Sequence, residues 1–365
     1  MTISAFDRVA PRLRWNDYSL SDEQQDLRAV TQQFLERHCT SAVVRAAEPG
    51  GFDERLWQLA GDAGISGIGI AEEIDGQGGD LPELAVVAEE LGRALAPIPL
   101  AEHIVAVRLL HSTGGGGSDL AGAVAGGLVL GLAPLSGRSP WPQLVPGGAA
   151  ARAVLGLVDG DLVLLRREES PPLAATEANL PLAVWALDAD TEVVPLAAGD
   201  DARRLWETAL GDYRVVTAAG LVGLAAGAVE LARGYATERS AFGAIIGSYQ
   251  AVSHTLVDGV MRIAAARNLT RRAAWYHAHE SATRPELPAI ALAHAAAAAT
   301  RWTAAAVHVH GGFGLTLEAD VSLYHRRAAA RGQAAGGLRE HRAAMAPALD
   351  RLVAARRSPR SEETR

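Results

Sequence analysis

Two long apolar segments, residues 215–232 and 254–274, run toward each other and meet at a short stretch through which neither can continue. In the first, Val216, Ala219, Leu224, Val229 and Ala232 recur at roughly helical spacing, so the segment reads as a helix that must bury an apolar face against other helices. The stretch between them, SAFGAIIGSY at residues 240–249, is rich in Gly, Ser and β-branched residues and propagates a helix poorly. The chain therefore turns a corner there, with Arg239 at a helix C-terminus and Phe242 and Gln250 flanking an ordered turn. A guanidinium in that position either reaches out to an anion or serves as a partner for the last helical carbonyls. A second break, HVHGGFGLTLEADVSL at residues 308–323, carries Gly311, Gly312 and Gly314, which permit close backbone approach by a ligand or by another helix.

From Leu205 to about Arg351 the chain is Ala-rich and almost wholly helical, interrupted at the corner, at residues 284–288 and at HGGFG, which suffices for an antiparallel four-helix bundle. The N-terminal part is also helical. Residues 21–36 form a helix opened by Ser21 or Asp22, and residues 52–63 form a second. A third is capped by Asp80 with Pro82 in its first turn and carries Leu84, Val87, Ala88, Leu91 and Leu95 on one face, stopping at Pro97 and Pro99. From Gly127 the character changes to short β-type runs, LVLGLAPL, AVLGLVDGDLVLL and AVWALDA, with Asp159-Gly160 as a hairpin turn. The expected division is 1–126 helical, 127–203 a short β-domain and 204–365 the helical bundle, with residues 354–365 charged and frayed.

The net charge of −8, from 34 basic and 42 acidic residues, offers no global attraction for nucleic acid, so a polyanionic cofactor requires a local basic site. A single cysteine, Cys39, excludes an intrachain disulfide and fits a reducing cytoplasm. The N-terminus, MTISAFDRVAPRLRW, lacks the apolar core of a signal peptide, and no uninterrupted apolar run reaches the roughly 20 residues of a bilayer span, so a cytoplasmic location is expected.

Arg239, Phe242-Gly243 and Gln250, in the pattern R-x-x-F-G-x-x-I-x-x-x-Q-A-x-x-H, resemble the corner of the acyl-CoA dehydrogenase family, flavoenzymes that make α,β-unsaturated acyl-CoA thioesters. The HGGFG segment resembles the family's Q-x-x-G-G-x-G, with His308 in place of Gln, and LGRALAPIPLAEH at residues 91–103 is similar to actinobacterial-type members. The resemblance implies a mainly α fold with a small β-domain: an N-terminal helical domain, a middle β-domain and a C-terminal four-helix bundle. It also implies that the corner and the glycine segment grip the ADP half of an FAD whose flavin ring lies in a neighbouring subunit. Arg239, Phe242, Gly243, Gln250, His308, Gly311 and Gly312 are then the cofactor-binding residues, and the substrate is an acyl-CoA or related acyl thioester.

The same resemblance exposes departures. Dehydrogenation at Cα–Cβ needs a base for the α-proton, a hydride acceptor and donors to the enolate-like oxygen. The family's base is a Glu at one of two positions, which fall here near Ala334-Ala335-Gly336 and on Tyr213, the residue before Arg214. Neither is a carboxylate, and a tyrosine with its ordinary pKa near ~10 is a poor base at neutral pH. The flavin-facing loop, an acidic-Pro-Gly-Ala-Gly-Ser-Asp type in the family, reads APLSGRS at residues 133–139.

Asp212, Glu318 and Glu340 are the acids near those two positions. Asp212 reads alternatively as a helix N-cap, Glu318 as a solvent or partner contact after HGGFG, and Glu340 as one charge on an exposed helix face. His277 and His279, and His308 and His310, stand two apart on helix and diverge, so they are not expected to share a metal. A retained clamp with a missing base resembles the smaller subunit of two-component acyl-CoA dehydrogenases, whose homologous partner supplies loop and base. A catalytically silent homo-oligomer and an active homo-oligomer with a relocated base are the rival expectations. Neither composition nor periodicity specifies whether the acyl group is fatty, a sterol side chain or a biosynthetic intermediate.

Overall fold

A computed structural model of the protein describes residues 17–176, 178, 180–337, 339–340, 342–346 and 350, so the readings of the N-terminal 15 and of residues 354–365 lie outside the described residues. The first helix, α1 (Asp22–His38), is opened by Ser21 with a reciprocal capping box to Gln24. It is followed by α2 (Ser41–Ala46), α3 (Glu54–Asp62) and α4 (Leu81–Arg93), the last opened by Asp80 in a capping box with Glu83. Helices α5 (Leu100–Ser112) and α6 (Gly117–Val124) complete the N-terminal layer. Cys39 caps the end of α1, where burial raises its thiol to about 12, leaving it unreactive.

Strands then supply a four-stranded sheet in the order β1 (Leu130–Leu132), β3 (Ala153–Val158), β4 (Asp161–Arg166), β6 (Glu192–Ala197), parallel between β1 and β3 and otherwise antiparallel. A separate antiparallel pair joins β2 (Gln143–Val145) to β5 (Ala183–Trp185). Asp159 and Gly160, at φ 51° and 93°, make the expected hairpin turn between β3 and β4. Strands β2 and β6 were not foreseen. The first has only three residues, and the second carries Pro195, which its place at the sheet edge tolerates.

The C-terminal bundle is α7 (Gly199–Glu238), α8 (Gln250–His279), α9 (Leu287–His310) and α10 (Asp320–Ala334). Helix α7 packs on α4, α8, α9 and α10 and is the axis of the molecule. By length and composition it is apolar enough to cross a bilayer, with mean hydropathy 1.9, but 78% of that window is buried inside the protein, as in a core helix. Its contact with α4 is backbone on backbone. A Cβ on Gly223 would stand 1.7 Å from the Glu89 carbonyl oxygen, and one on Gly92 would stand 2.0 Å from the Gly220 carbonyl oxygen. No side chain fits between the two helices there.

Polar groups buried beside this contact are paired. Glu89 takes Arg267 of α8 at 2.6 Å, and Glu90 takes Arg28 of α1 at 2.7 Å and Arg93 at 2.6 Å. Arg108 of α5 donates to Asp80 at 2.9 Å and to Asp212 at 3.0 Å. Asp212 is thus not an N-cap: α7 begins at Gly199, so Asp212 lies well inside the helix and is buried in ion pairs. His103 of α5, fully buried, accepts the Leu130 amide on Nδ1 at 3.0 Å and so ties α5 to β1 as a neutral ring.

Two measurements test this packing. Gly223→Ala should destabilise the fold by at least about 3 kcal/mol, because the helices must separate, whereas Gly234→Ala, on the same helix with open space around it, should be neutral or stabilise by up to about 1 kcal/mol in urea unfolding. Burial pushes the His103 imidazole down to about 4, so the unfolded chain takes up its proton first as pH falls. The stability this group contributes is present above its unfolded pKa near ~6.5 and is lost toward the folded pKa, an expected decline of about 2 kcal/mol from pH 7 to pH 5. His103→Gln, which keeps an acceptor and does not titrate, should remove that part of the slope.

Candidate functional site

The corner is a small rigid hairpin. After Arg239, the C-cap of α7, β7 (Ser240–Ala241) pairs with β8 (Ala244–Ile245) around Phe242 and Gly243 at φ 52° and 81°. Both angles are those of a type I′ turn, which glycine adopts freely and phenylalanine rarely. The Tyr249 hydroxyl donates to the Ala241 carbonyl at 2.9 Å, and the Ile246 amide donates to the Arg239 carbonyl at 2.8 Å, so both ends of the hairpin are tied down. The Phe242 side chain is 99% exposed at the tip, and Gln250, also exposed, is the first residue of α8. Tyr249, the N-cap of that helix, provides no side-chain cap; its carbonyl takes the Val252 amide at 3.0 Å, so the Gln250 and Ala251 amides and the positive dipole end are left for another acceptor. Arg239 has no ion pair or hydrogen bond to its side chain among the described residues.

The glycine segment forms a 3₁₀ turn, Gly311–Leu315, at the end of α9. The glycines divide by role. A Cβ on Gly314 would stand 2.6 Å from the Val307 carbonyl oxygen, so this residue serves the protein's own packing. Around Gly311, Gly312 and Gly243 nothing lies within 4 Å of an added Cβ, so their backbones are open to a ligand. His308 is exposed beside them. The two segments meet through Tyr235, whose ring stacks on His310 at 4.5 Å and lies near-parallel to Phe313 at 6.5 Å. The loop beyond the turn is fixed from a distance: Arg45 of α2 donates to the Leu317 carbonyl, to the Glu318 carbonyl at 2.8 Å and to the Asp320 carboxylate at 2.9 Å. An unpaired guanidinium, three open glycines and an uncapped helix N-terminus are the groups a pyrophosphate needs.

The two positions that the resemblance reserves for a base come together elsewhere. Tyr213 and Ala334 line one small cavity of about 20 Å³ together with Glu102, Thr217, Arg327 and Arg331. That volume holds about one water. Burial first, and the Glu102 charge second, push the Tyr213 phenol up, so it is no base at neutral pH. Glu102 of α5 is the acid that sequence reading missed. It faces Arg331 at 3.7 Å, and its Oε2 is buried with no hydrogen-bond partner among the described residues. Its only signal is a charge in an otherwise largely apolar helix.

Of the three nominated acids, Asp212 and Glu318 stand away from these positions, whereas Glu340 lines a neighbouring cavity of about 20 Å³ with Tyr213, Arg214 and Ala335. Asp212 is held by Arg108 and by His277 at 3.4 Å. The His277 imidazole sits over Gly211, where a Cβ would stand 2.0 Å from the ring. Burial alone would lower its pKa, but the hydrogen bond to Asp212 and the charge of that carboxylate hold it above the usual imidazole value. Glu318 is exposed, and hydrogen bonds from its own backbone and from Thr316 hold its carboxyl below the usual range. Glu340 is no free surface charge. It pairs with Arg138 of the 133–139 loop at 2.9 Å, and that bond lowers its pKa. Arg214 is without a partner among the described residues, and burial brings its pKa down to about 10.

Residues 21–115 match the acyl-CoA dehydrogenase N-terminal domain and residues 203–348 the acyl-CoA dehydrogenase C-terminal domain. Among curated proteins, the chain is 31% identical over 326 residues to the acyl-CoA dehydrogenase IpdE2 of Mycolicibacterium smegmatis, covering 88% of this chain and 97% of that protein. It is 30% identical to FadE34 of Mycobacterium tuberculosis, covering 87% of this chain and 47% of that protein. Among solved structures, the Tcur3481–Tcur3483 steroid ACAD variant superposes with a TM-score of 0.82 at 24% identity, over 92% of this chain and all of that one. The ChsE4–ChsE5 complex from Mycobacterium tuberculosis superposes with a TM-score of 0.77 at 25% identity, over 92% of this chain and 99% of that one.

Arg45→Ala removes the donor that holds the loop after the glycine turn. Amide exchange across residues 315–319 should accelerate at least about tenfold, with the global unfolding midpoint nearly unchanged, since the arginine is on the surface.

Proposed function

The chain belongs to the acyl-CoA dehydrogenase family, and from that premise we propose that it is the subunit which completes the ADP end of an FAD site for a homologous partner that carries the flavin-facing loop and the base. The observation that carries this reading is the opposite state of the two ends of α7. At Tyr213 the helix lines a cavity of about 20 Å³ in which neither base position bears a carboxylate, while at Arg239 it presents an unpaired guanidinium beside open glycines. The two points are about 39 Å apart along the helix axis, farther than an extended FAD reaches. A flavin whose pyrophosphate lies at this corner would not bring its ring to the Tyr213 cavity, which supports a ring held in another subunit. A likeness to a complex of two different chains, ChsE4–ChsE5, supports a homologous partner.

FAD, when bound, supplies the acceptor for the β-hydrogen as hydride. This chain's residues would hold it: Arg239 would donate to a phosphate oxygen, Gly311 and Gly312 would let the backbone come close, and the Gln250 and Ala251 amides at the start of α8 would add donors. Arg138 and Glu340 close the loop that would otherwise face a flavin ring in this chain. A substrate thioester is then bound in the partner, an acyl-CoA as the family implies.

The chain purified alone should hold little or no FAD and gain it on co-expression with its partner; a yellow homo-oligomer with one FAD per chain overturns the proposal. Arg239→Ala should lower FAD retention in the complex by about tenfold or more, with assembly unchanged. Glu102→Gln, Glu318→Gln and Glu340→Gln should leave turnover of the complex within a few-fold of the parent, against the 10²–10⁴-fold loss typical for a base. Asp212→Asn should lower stability, not turnover per folded complex. Collapse of turnover on Glu102→Gln, with flavin retained, would make Glu102 a relocated base and this chain the catalytic one.

A further inference from the structure

The cavity that receives both base positions is small because of what stands in it. Tyr213, Thr217 and Gly220 fall at i, i+4 and i+7 and form one stripe of α7. Arg331 of α10 lies across that stripe: a Cβ on Gly220 would stand 3.8 Å from its Nη1, and the same nitrogen stands 3.7 Å from Glu102 Oε1 of α5. The two side chains are only 24% and 13% exposed, so the pair sits inside the molecule. It is a loose pair by the standard of this protein. Glu89 and Glu90 meet arginines at 2.6 Å and 2.7 Å, whereas Glu102 and Arg331 are beyond hydrogen-bond distance, and Glu102 Oε2 is buried with no hydrogen-bond partner among the described residues. Arg327, one turn away on the same face of α10, is by contrast tied to the Leu95 carbonyl at 2.6 Å and to Glu48 at 3.1 Å.

Two charges so loosely joined lose hydration without gaining a full ion pair, so stability does not account for their presence. Their position does. A base takes a proton only within hydrogen-bond reach, so a thioester acted on in this chain would set its Cα beside Tyr213 or Ala334 and send its alkyl chain into the cavity those residues line. We propose that the Glu102–Arg331 pair is a plug that keeps an acyl chain out of this subunit, an inference that rests on the half-site reading above. An alkyl chain entering the cavity has to part the two charges and lie against a carboxylate that already has one oxygen unpaired. The plug is thus a specificity element: a thioester that reaches the complex is left to the partner.

The test uses the full-length chain without flavin and 1-hexanol, a neutral alkyl probe that needs neither a CoA path nor a cofactor. Glu102→Ala combined with Arg331→Ala vacates the space of about ten heavy atoms, room for a short alkyl chain. Calorimetry should show 1-hexanol binding this double variant at least about tenfold more tightly than the parent, with a rise in melting temperature that the parent does not show. Glu102→Leu combined with Arg331→Met, which removes the charges and keeps most of the bulk, should bind no better than the parent. Should the alanine pair fail to fold, Glu102→Gln with Arg331→Ala carries the same expectation. Equal hexanol affinity in the parent and the truncated chain overturns the plug, and so does tight binding by the Leu–Met chain, which would leave nothing for the bulk of the pair to do. Neither result touches the half-site reading, which stands or falls on flavin retention in the complex.

Discussion

Where α7 crosses α4 the two backbones touch, and the rest of the molecule is arranged around that contact. Gly92 and Gly223 allow carbonyl oxygens of one helix, those of Gly220 and Glu89, to lie where the other would carry Cβ atoms. Contact this close excludes side chains and water along the seam, so the charged residues of α4 must emerge at its sides. There Glu89 and Glu90 meet arginines from α8 and α1. These pairs are more a consequence of the crossing than a source of stability, since desolvation offsets much of what a buried ion pair contributes. What they add is register: Glu89 joins α4 to α8 and Glu90 joins it to α1, while the Glu90–Arg93 pair lies within α4.

That register decides the chemistry at both ends of α7. Toward its N-terminal half, Arg108 binds Asp212 in place, and Tyr213 is delivered to a cavity already occupied by Glu102 and Arg331. Toward its C-terminus the same helix runs out into a hairpin whose tip residue, Phe242, makes no use of the core at all. A bulky residue at positive φ, fully exposed, is held there by Tyr249 and by the strand pair, at a conformational cost of the kind that functional sites bear. Leu315 and Leu317, at 77% and 73% exposure, lie just past the neighbouring glycine turn, with their loop held by Arg45. The corner thus leaves large apolar side chains in solvent, whereas the cavity at Tyr213 has room for about one water.

The elements legible in the sequence are those whose signals are local. Ser21 with Gln24, Asp80 with Glu83, the Asp159-Gly160 turn and the break after Glu238 each act within a few residues, so pattern and turn chemistry suffice. Helix α7 was readable for the same reason, although its start lay earlier than Leu205 because Gly199 and the two aspartates after it already form its first turn. The corner and the glycine segment were legible as a pair of motifs, since glycines and a break in helical pattern mark the backbone turns there. What their spacing could not convey is that Gly314 serves the protein's own helix while Gly311 and Gly312 face open space.

The acids divide along the same line. Which of Asp212, Glu318, Glu340 and Glu102 is buried, and against what, depends on residues from 104 to 273 positions away: Arg108, Arg45, Arg138 and Arg331. A carboxylate's role follows from its desolvation and from the charge beside it, and neither is a property of its neighbours in sequence. The amino-acid order was therefore enough to establish a helical bundle with a corner, an anion-ready arginine and no carboxylate at the two expected base positions. Packing alone brought Tyr213 and Ala334 to one small cavity, paired Glu340 with Arg138 and stacked Tyr235 between the two motifs, because each of those outcomes requires groups from distant segments to be pressed together out of water.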